Sequence, residues 1–210
     1  PPSLSLPTDR PRPATPSLSG RRMGRRVDVD VDVLRALGRP VDFALTALAT
    51  LLHRMADADD MMVGVTHANR RAEGAETAFG CLVRTLPLRV SPGEAATVGE
   101  LAAQIHTRRR RAFEHLTDVD ELGGDAGGPG HRVILNYMPF SERDAADFGE
   151  GLGVRGWRPD PGWTSTDLAF DVIEEADGLR CVLEYDAALF DAETADSWLD
   201  AFVTALSAVP

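Results

Sequence analysis

The residues of this chain best suited to chemistry lie in one block, Met62-Val63-Gly64-Val65-Thr66-His67-Ala68-Asn69-Arg70. A second block follows shortly after, Phe79-Gly80-Cys81-Leu82-Val83-Arg84-Thr85-Leu86-Pro87-Leu88-Arg89. An apolar strand runs into a polar loop, and a second strand leaves it. The junction gathers a hydroxyl, an imidazole, a carboxamide and a guanidinium within five residues. Asn69 and Arg70 read as structural. A loop Asn readily takes the left-handed conformation, and Arg pins a loop through a bidentate pair.

Other groupings of reactive residues are weaker. Asp28, Asp30 and Asp32 alternate in a way that invites calcium, but Val33 stands where a calcium loop needs glycine and Arg39 where it needs glutamate. No cluster has metal-ligand spacing. Cys81 and Cys181 both sit in apolar, strand-like runs, so buried free thiols in a reducing compartment are expected in place of a disulfide. The net charge of −11 argues against a nucleic-acid partner. All 22 basic residues are arginine, which fits a GC-rich genome. No apolar run is long enough to span a membrane, and the Pro-, Ser- and Arg-rich start lacks a signal-peptide core, so a cytoplasmic setting is expected. The absence of an initiator Met is expected of a piece of a longer chain.

The elements that must position these residues follow from periodicity. Residues 1–26 carry six of the 14 prolines and read as an extended linker. Val27 to Val33 alternates valine with aspartate and predicts a half-exposed or edge strand. Pro40 opens a helix with Phe43, Ala44, Leu45, Ala47, Leu48, Leu51, Leu52 and Met55 as its apolar stripe. Strands are predicted at Met61 to Val65 and Phe79 to Val90, either side of a polar loop at 68–78. Thr97 caps a second helix through about Glu114, with Val98, Leu101, Ile105 and Phe113 as apolar positions. Gly123 to Gly130 is a loop. Val133 to Tyr137 is a short strand ended by Pro139. A further strand is expected within Gly151 to Trp157. Asp167 to Ile173 and Leu179 to Tyr185 form a hairpin around Glu175-Ala176-Asp177-Gly178. A last helix starts at Asp191 with a seam of Trp198, Leu199, Phe202 and Leu206. The fold class is therefore α/β, a two-layer sandwich of a mixed sheet with helices on one face. At 210 residues the chain is long enough for a full core.

Several segments, in order, resemble the C-terminal half of a condensation domain of nonribosomal peptide synthetases. They are Leu6-Pro7-Thr8-Asp9-Arg10-Pro11-Arg12-Pro13, then Leu51-Leu52-His53-Arg54 with Asp59-Asp60 and Val63-Gly64. Phe79 to Arg89 resembles the family's strand Gly-x-Phe-Val-Asn-Thr-Leu-Pro-Leu-Arg, with Arg84 where the family has asparagine. Ser165-Thr166-Asp167-Leu168 resembles Lys-Phe-Asp-Leu. Gly178-Leu179, Leu183-Glu184-Tyr185-Asp186 and Leu189-Phe190-Asp191 resemble the closing hairpin and helix. Gly64-Val65-Thr66-His67 stands where relatives usually read Gly-Thr-Pro. The family's catalytic motif, His-His-x-x-x-Asp-Gly, belongs to the other half, and no His-His pair occurs in this chain. His115 with Asp118 lacks the second histidine and the glycine, and reads as a helix C-terminal residue favoured by the dipole.

The resemblance implies a chloramphenicol-acetyltransferase-like lobe over residues 27–210, joined by the linker 1–26 to an N-terminal condensation lobe. Residues 66–84 would form a floor loop beneath a substrate tunnel, and residues 139–166 a latch crossing to the other lobe. Tunnel or floor-loop candidates are Thr66, His67, Asn69, Arg70, Arg84, Thr85 and Ser165; no catalytic residue and no metal ligand are assigned. His67 has two readings, a tunnel-side contact or a strand-end imidazole bonded to backbone. Arg108-Arg109-Arg110-Arg111 also has two, a dock for acidic carrier proteins or a solvated helix end. The implied partners are the N-terminal lobe, donor and acceptor peptidyl carrier proteins, and an adjacent adenylation domain. Phosphopantetheine would arrive on the carriers, with no cofactor bound directly. The implied reaction is attack of an α-amine on a thioester, for which this half supplies walls and not the base. A non-catalytic lobe of a degenerate domain, recruiting a carrier or tailoring enzyme, and an epimerisation lobe are the alternatives.

Overall fold

The computed structural model describes residues 4–15, 19–38, 40–70, 74–75, 77–115, 132–139, 146–147, 153–154, 160–175 and 177–208. Its framework is a mixed six-stranded sheet in the order β1-β8-β7-β4-β2-β3. The strands are β1 (Gly20–Val27), β2 (Met61–His67), β3 (Arg84–Val90), β4 (Val133–Met138), β7 (Leu168–Glu175) and β8 (Gly178–Asp186). A separate small hairpin pairs β5 (Ala146–Asp147) with β6 (Gly153–Val154). The helices are α1 (Val31–Leu37), α2 (Pro40–Ala56), α3 (Val98–Glu114) and α4 (Ala192–Ala208). β4 runs parallel to both β2 and β7, and every other pairing is antiparallel.

The period of two along each strand divides the sheet into two faces. Met61, Val63 and Val65 of β2, Leu88 and Val90 of β3, Val133 and Leu135 of β4, Leu168, Phe170 and Val172 of β7, and Leu179, Cys181 and Leu183 of β8 join one core. Ala44, Leu45, Leu48, Leu52, Leu101, Ile105, Leu199 and Phe202 complete that core from α2, α3 and α4. Helices on one face of a mixed sheet is the architecture that the periodicity predicts. The far face mixes polar and apolar residues and carries one small buried cluster of Met138, Ile173 and Val182.

The hairpin β7–β8 forms where predicted, and Gly178 at its turn lets the end of β1 approach closely. Its φ is +145°, and a Cβ there would lie 2.4 Å from the Val27 carbonyl oxygen. Pro87 lies in β3, an edge strand, the place in a sheet where proline is tolerated. Thr97 caps α3 by accepting from the Glu100 N–H.

Four expectations are corrected. Residues 20–26 are not linker: they belong to β1, paired residue for residue with β8. Val27 to Val33 is not a strand. Asp30 accepts the N–H groups of Asp32 and Val33 at 2.9 and 3.1 Å and starts α1, so local capping chemistry overrides the alternation. The strand expected from Phe79 begins only at Arg84, and Phe79 is fully exposed. Cys81 is therefore exposed, while Cys181 is buried as expected.

The proline-rich start is extended but docked. Leu4 and Leu6 are in the core. Asp9 accepts the Asp191 N–H at 2.7 Å and the Thr194 hydroxyl at 3.0 Å at the start of α4. Arg12 donates to Asp167 at 2.9 Å ahead of β7. The loop 123–130 and most of 139–166, including Trp157, lie outside the described residues.

Candidate functional site

The reactive block at 62–70 sits at the C-terminal end of β2, and its residues divide between the two faces. Thr66 and Thr85 face each other across β2 and β3 on the face away from the helices. Thr66 Oγ1 donates to Asn136 Oδ1 of β4 at 2.6 Å. Asn136 Nδ2 in turn donates to Asp171 Oδ1 of β7 at 3.3 Å. Polar contacts thus cross three neighbouring strands in a row, and all three side chains are half-buried. Asn136 and Asp171 were not among the expected site residues. Each is a lone polar residue in an apolar run, Val133-Ile134-Leu135-Asn136 and Leu168-Ala169-Phe170-Asp171, and that interruption is the signal that marks them.

His67 and Arg84, opposite each other, fall on the helix face. The His67 ring meets Phe113 of α3 edge-on, with centroids 4.6 Å apart. The Arg109 guanidinium lies 5.4 Å from the same Phe113 ring. Arg109 is held by buried Asp42 of α2, with Nε–Oδ1 2.5 Å and Nη2–Oδ2 3.1 Å, and His106 Nδ1 meets Asp42 Oδ2 at 2.8 Å. The end of β2 is thereby tied into a charged seam between α2 and α3.

The four consecutive arginines have separate roles. Arg109 is in this buried pair. Arg108 donates to Ser91 Oγ at 2.8 Å and to Glu94 at 3.1 Å. Arg110 pairs with Glu114 on its own helix at 3.7 Å. Arg111 is exposed. His115 is the C-cap of α3, as its position predicted.

Asn69 has a φ of +53°, the left-handed turn expected of it. Arg70 pins the following loop by a different means from the bidentate pair. Its guanidinium donates to three carbonyls, Ala75 at 2.7 Å, Ala78 at 2.8 Å and Gly80 at 2.8 Å. Phe79, between two of those carbonyls, and Cys81 and Val83 after them are exposed. Ser165 does not join this group. It is exposed in the bend ahead of β7, before the strand begins at Leu168, whereas Asp171 lies within the strand.

A second polar group stands at the same end of the sheet. The Tyr137 hydroxyl donates to Glu174 at 2.6 Å, and Glu174 pairs with Arg35 of α1. Burial, then the bond to Glu174, pushes the Tyr137 hydroxyl well above its usual range. Among the described residues no three His, Cys, Asp or Glu side chains converge to hold a metal, and no helix is long and apolar enough to cross a membrane.

Known proteins resemble this chain in sequence and in fold. The condensation-domain family model matches residues 1–210, and the chain belongs to that family. It is 30% identical over 205 residues to the malpinin synthetase of Mortierella alpina, covering 91% of the chain and 3% of that protein. It is 31% identical over 227 residues to the phosphinothricin tripeptide synthetase PhsB of Streptomyces viridochromogenes, covering 99% of the chain and 19% of that protein. Among solved structures it resembles the X-domain from teicoplanin biosynthesis, with a TM-score of 0.83 and 27% identity over 99% of the chain and 50% of that domain. The tyrocidine synthetase epimerisation domain shares the fold at a TM-score of 0.72 and 16% identity, over 98% of the chain and 51% of that domain. The chain thus spans a small fraction of the synthetases it matches and about half of the solved domains.

Proposed function

We propose that this chain is the C-terminal lobe of a condensation domain that forms an amide between carrier-bound acyl or peptidyl and aminoacyl thioesters. The observation that carries the reading is the match to one half of a domain, 50% of the X-domain and 51% of the epimerisation domain, by a chain without a His-His pair. Attack of an amine on a thioester needs a neutral amine, an approach path and a stabilised oxyanion. In this reading the other lobe supplies the histidine. The sheet face bearing Thr66 and Thr85 and the Arg70-stapled loop form wall and floor. The docked residues 4–12 lead in from that lobe, and residues 139–166 act as the latch.

Donor and acceptor carrier proteins, each bringing phosphopantetheine, and an adjacent adenylation domain are the proposed partners, in a cytoplasmic setting. Ser165 and His67 fit a tunnel role less well than Thr66. One stands in the bend ahead of β7, and the other packs on Phe113.

One observation favours a second reading, a lobe that recruits a tailoring enzyme without condensing. The X-domain, at 27% identity, is also solved in complex with OxyB from teicoplanin biosynthesis. The sequence encoded immediately before Pro1 separates the two. An intact His-His-x-x-x-Asp-Gly supports condensation. A disrupted motif overturns it in favour of the recruiting lobe.

A further inference from the structure

The row Thr66–Asn136–Asp171 has a direction, and the direction is set from one end. A carboxylate only accepts hydrogen bonds, so the group that Asn136 turns toward Asp171 is its Nδ2 amide, 3.3 Å away. That orientation leaves Asn136 Oδ1 facing Thr66. At 2.6 Å, Thr66 Oγ1 is the donor. A threonine hydroxyl has one hydrogen, and here it is used. What remains on Thr66 is lone pairs. Asp171 on β7 therefore fixes the polarity of a hydroxyl two strands away, on the face opposite the helices.

We infer that Thr66 is a positioning residue that accepts a hydrogen bond from the α-amine of the acceptor substrate. This rests on the condensation reading and goes beyond it by assigning the amine a specific contact. The chemistry favours this ligand over others. An amine engaged through its own N–H keeps its lone pair free for attack on a carbonyl carbon. An amine engaged by a donor has that lone pair occupied. A wall group stripped of its donor hydrogen favours the first arrangement and disfavours the second. A ligand that offers only carbonyl oxygens finds no partner in Thr66.

The test uses the chain together with a separately produced first lobe bearing His-His-x-x-x-Asp-Gly, and two small probes. One is alanyl-aminopantetheine, with an amide in place of the thioester. The other is its propionyl counterpart, identical except for the missing α-amine. Ligand-observed NMR titration gives a dissociation constant for each. The free amine should improve binding about five-fold, the scale of one neutral hydrogen bond. Thr66→Val should erase the preference, and Thr66→Ser should retain it. Asn136→Ala should weaken it, because the released hydroxyl is then free to donate. A thermal melt of each variant checks that it is folded. If the wild type binds both probes equally, or if Thr66→Val keeps the five-fold preference, the role of Thr66 is overturned while the tunnel reading stands. If the folded wild type binds neither probe, the tunnel reading falls and the inference falls with it.

Discussion

Arg70 commits its guanidinium to three backbone carbonyls spread over residues 75–80. One side chain thereby closes the loop between β2 and β3. Phe79 stands fully exposed within it, an open target for chymotrypsin once the backbone can be drawn into the protease. Arg70→Ala is expected to raise the rate of cleavage at Phe79 about ten-fold under native conditions while leaving the melting temperature nearly unchanged. Equal cleavage rates would remove the staple from the account. The two thiols differ just as clearly. Cys81 is exposed and should react with a disulfide reagent within seconds, whereas Cys181 is buried and should react only in denaturant. Burial pushes the Cys181 thiol up from 9.0 to about 12. The unfolded chain therefore loses that proton first as pH rises. Stability is full below pH 9 and declines between 9 and 12, by at most about 1.4 kcal/mol per pH unit. Tyr137, raised by burial, acts with the same sign at higher pH. Cys181→Ala should flatten the decline in chemical denaturation measured from pH 8 to 11. A parallel decline in wild type and variant would contradict the assignment.

Between elements, the buried Asp42–Arg109 pair fastens α2 to α3, with both side chains under 10% exposed. Removing one partner strands the other charge. Asp42→Ala should cost about 3 kcal/mol in urea denaturation, and Asp42→Leu with Arg109→Met should recover most of it. A cost below 1 kcal/mol for Asp42→Ala would show that the pair is solvated. The N-terminal segment makes the same kind of claim for a piece without secondary structure. Leu6 is 7% exposed in the core, so Leu6→Ala should cost about 2 kcal/mol, measured as a lowered melting temperature. No change would mean that the segment is not docked in solution.

These contacts also mark what the sequence discloses. The helices α2, α3 and α4 and the hairpin β7–β8 are legible because apolar spacing, a cap or a turn signal each belongs to one short stretch. β1 escaped because Arg-Arg-Met-Gly-Arg-Arg has no apolar face to read. Its strand character comes from the β8 ladder, a partner about 160 residues away. The Val-Asp alternation misled because Asp30 is also an N-cap, and two local signals competed over the same residues. Thr66 was legible as a candidate. Its partners Asn136 and Asp171 become neighbours only when β4 is laid between β2 and β7. Arg109 hid within a run of four arginines whose spacing covers every side of a helix.

At the scale of the whole molecule, the sheet carries helices on one face and a polar row on the other, and the chain corresponds to about half of the solved domains of its family. Under the proposed division of labour, this chain walls and orients the substrates and the other lobe carries the histidine. The direct measurement is amide formation between a loaded donor carrier protein and a loaded acceptor carrier protein, followed by mass spectrometry. It is run with the chain alone, with the chain and a separately produced first lobe bearing His-His-x-x-x-Asp-Gly, and with neither. No amide above background is expected from the chain alone, although the same sample melts cooperatively, and amide is expected when both lobes are present. Amide formed by the chain alone would contradict that division.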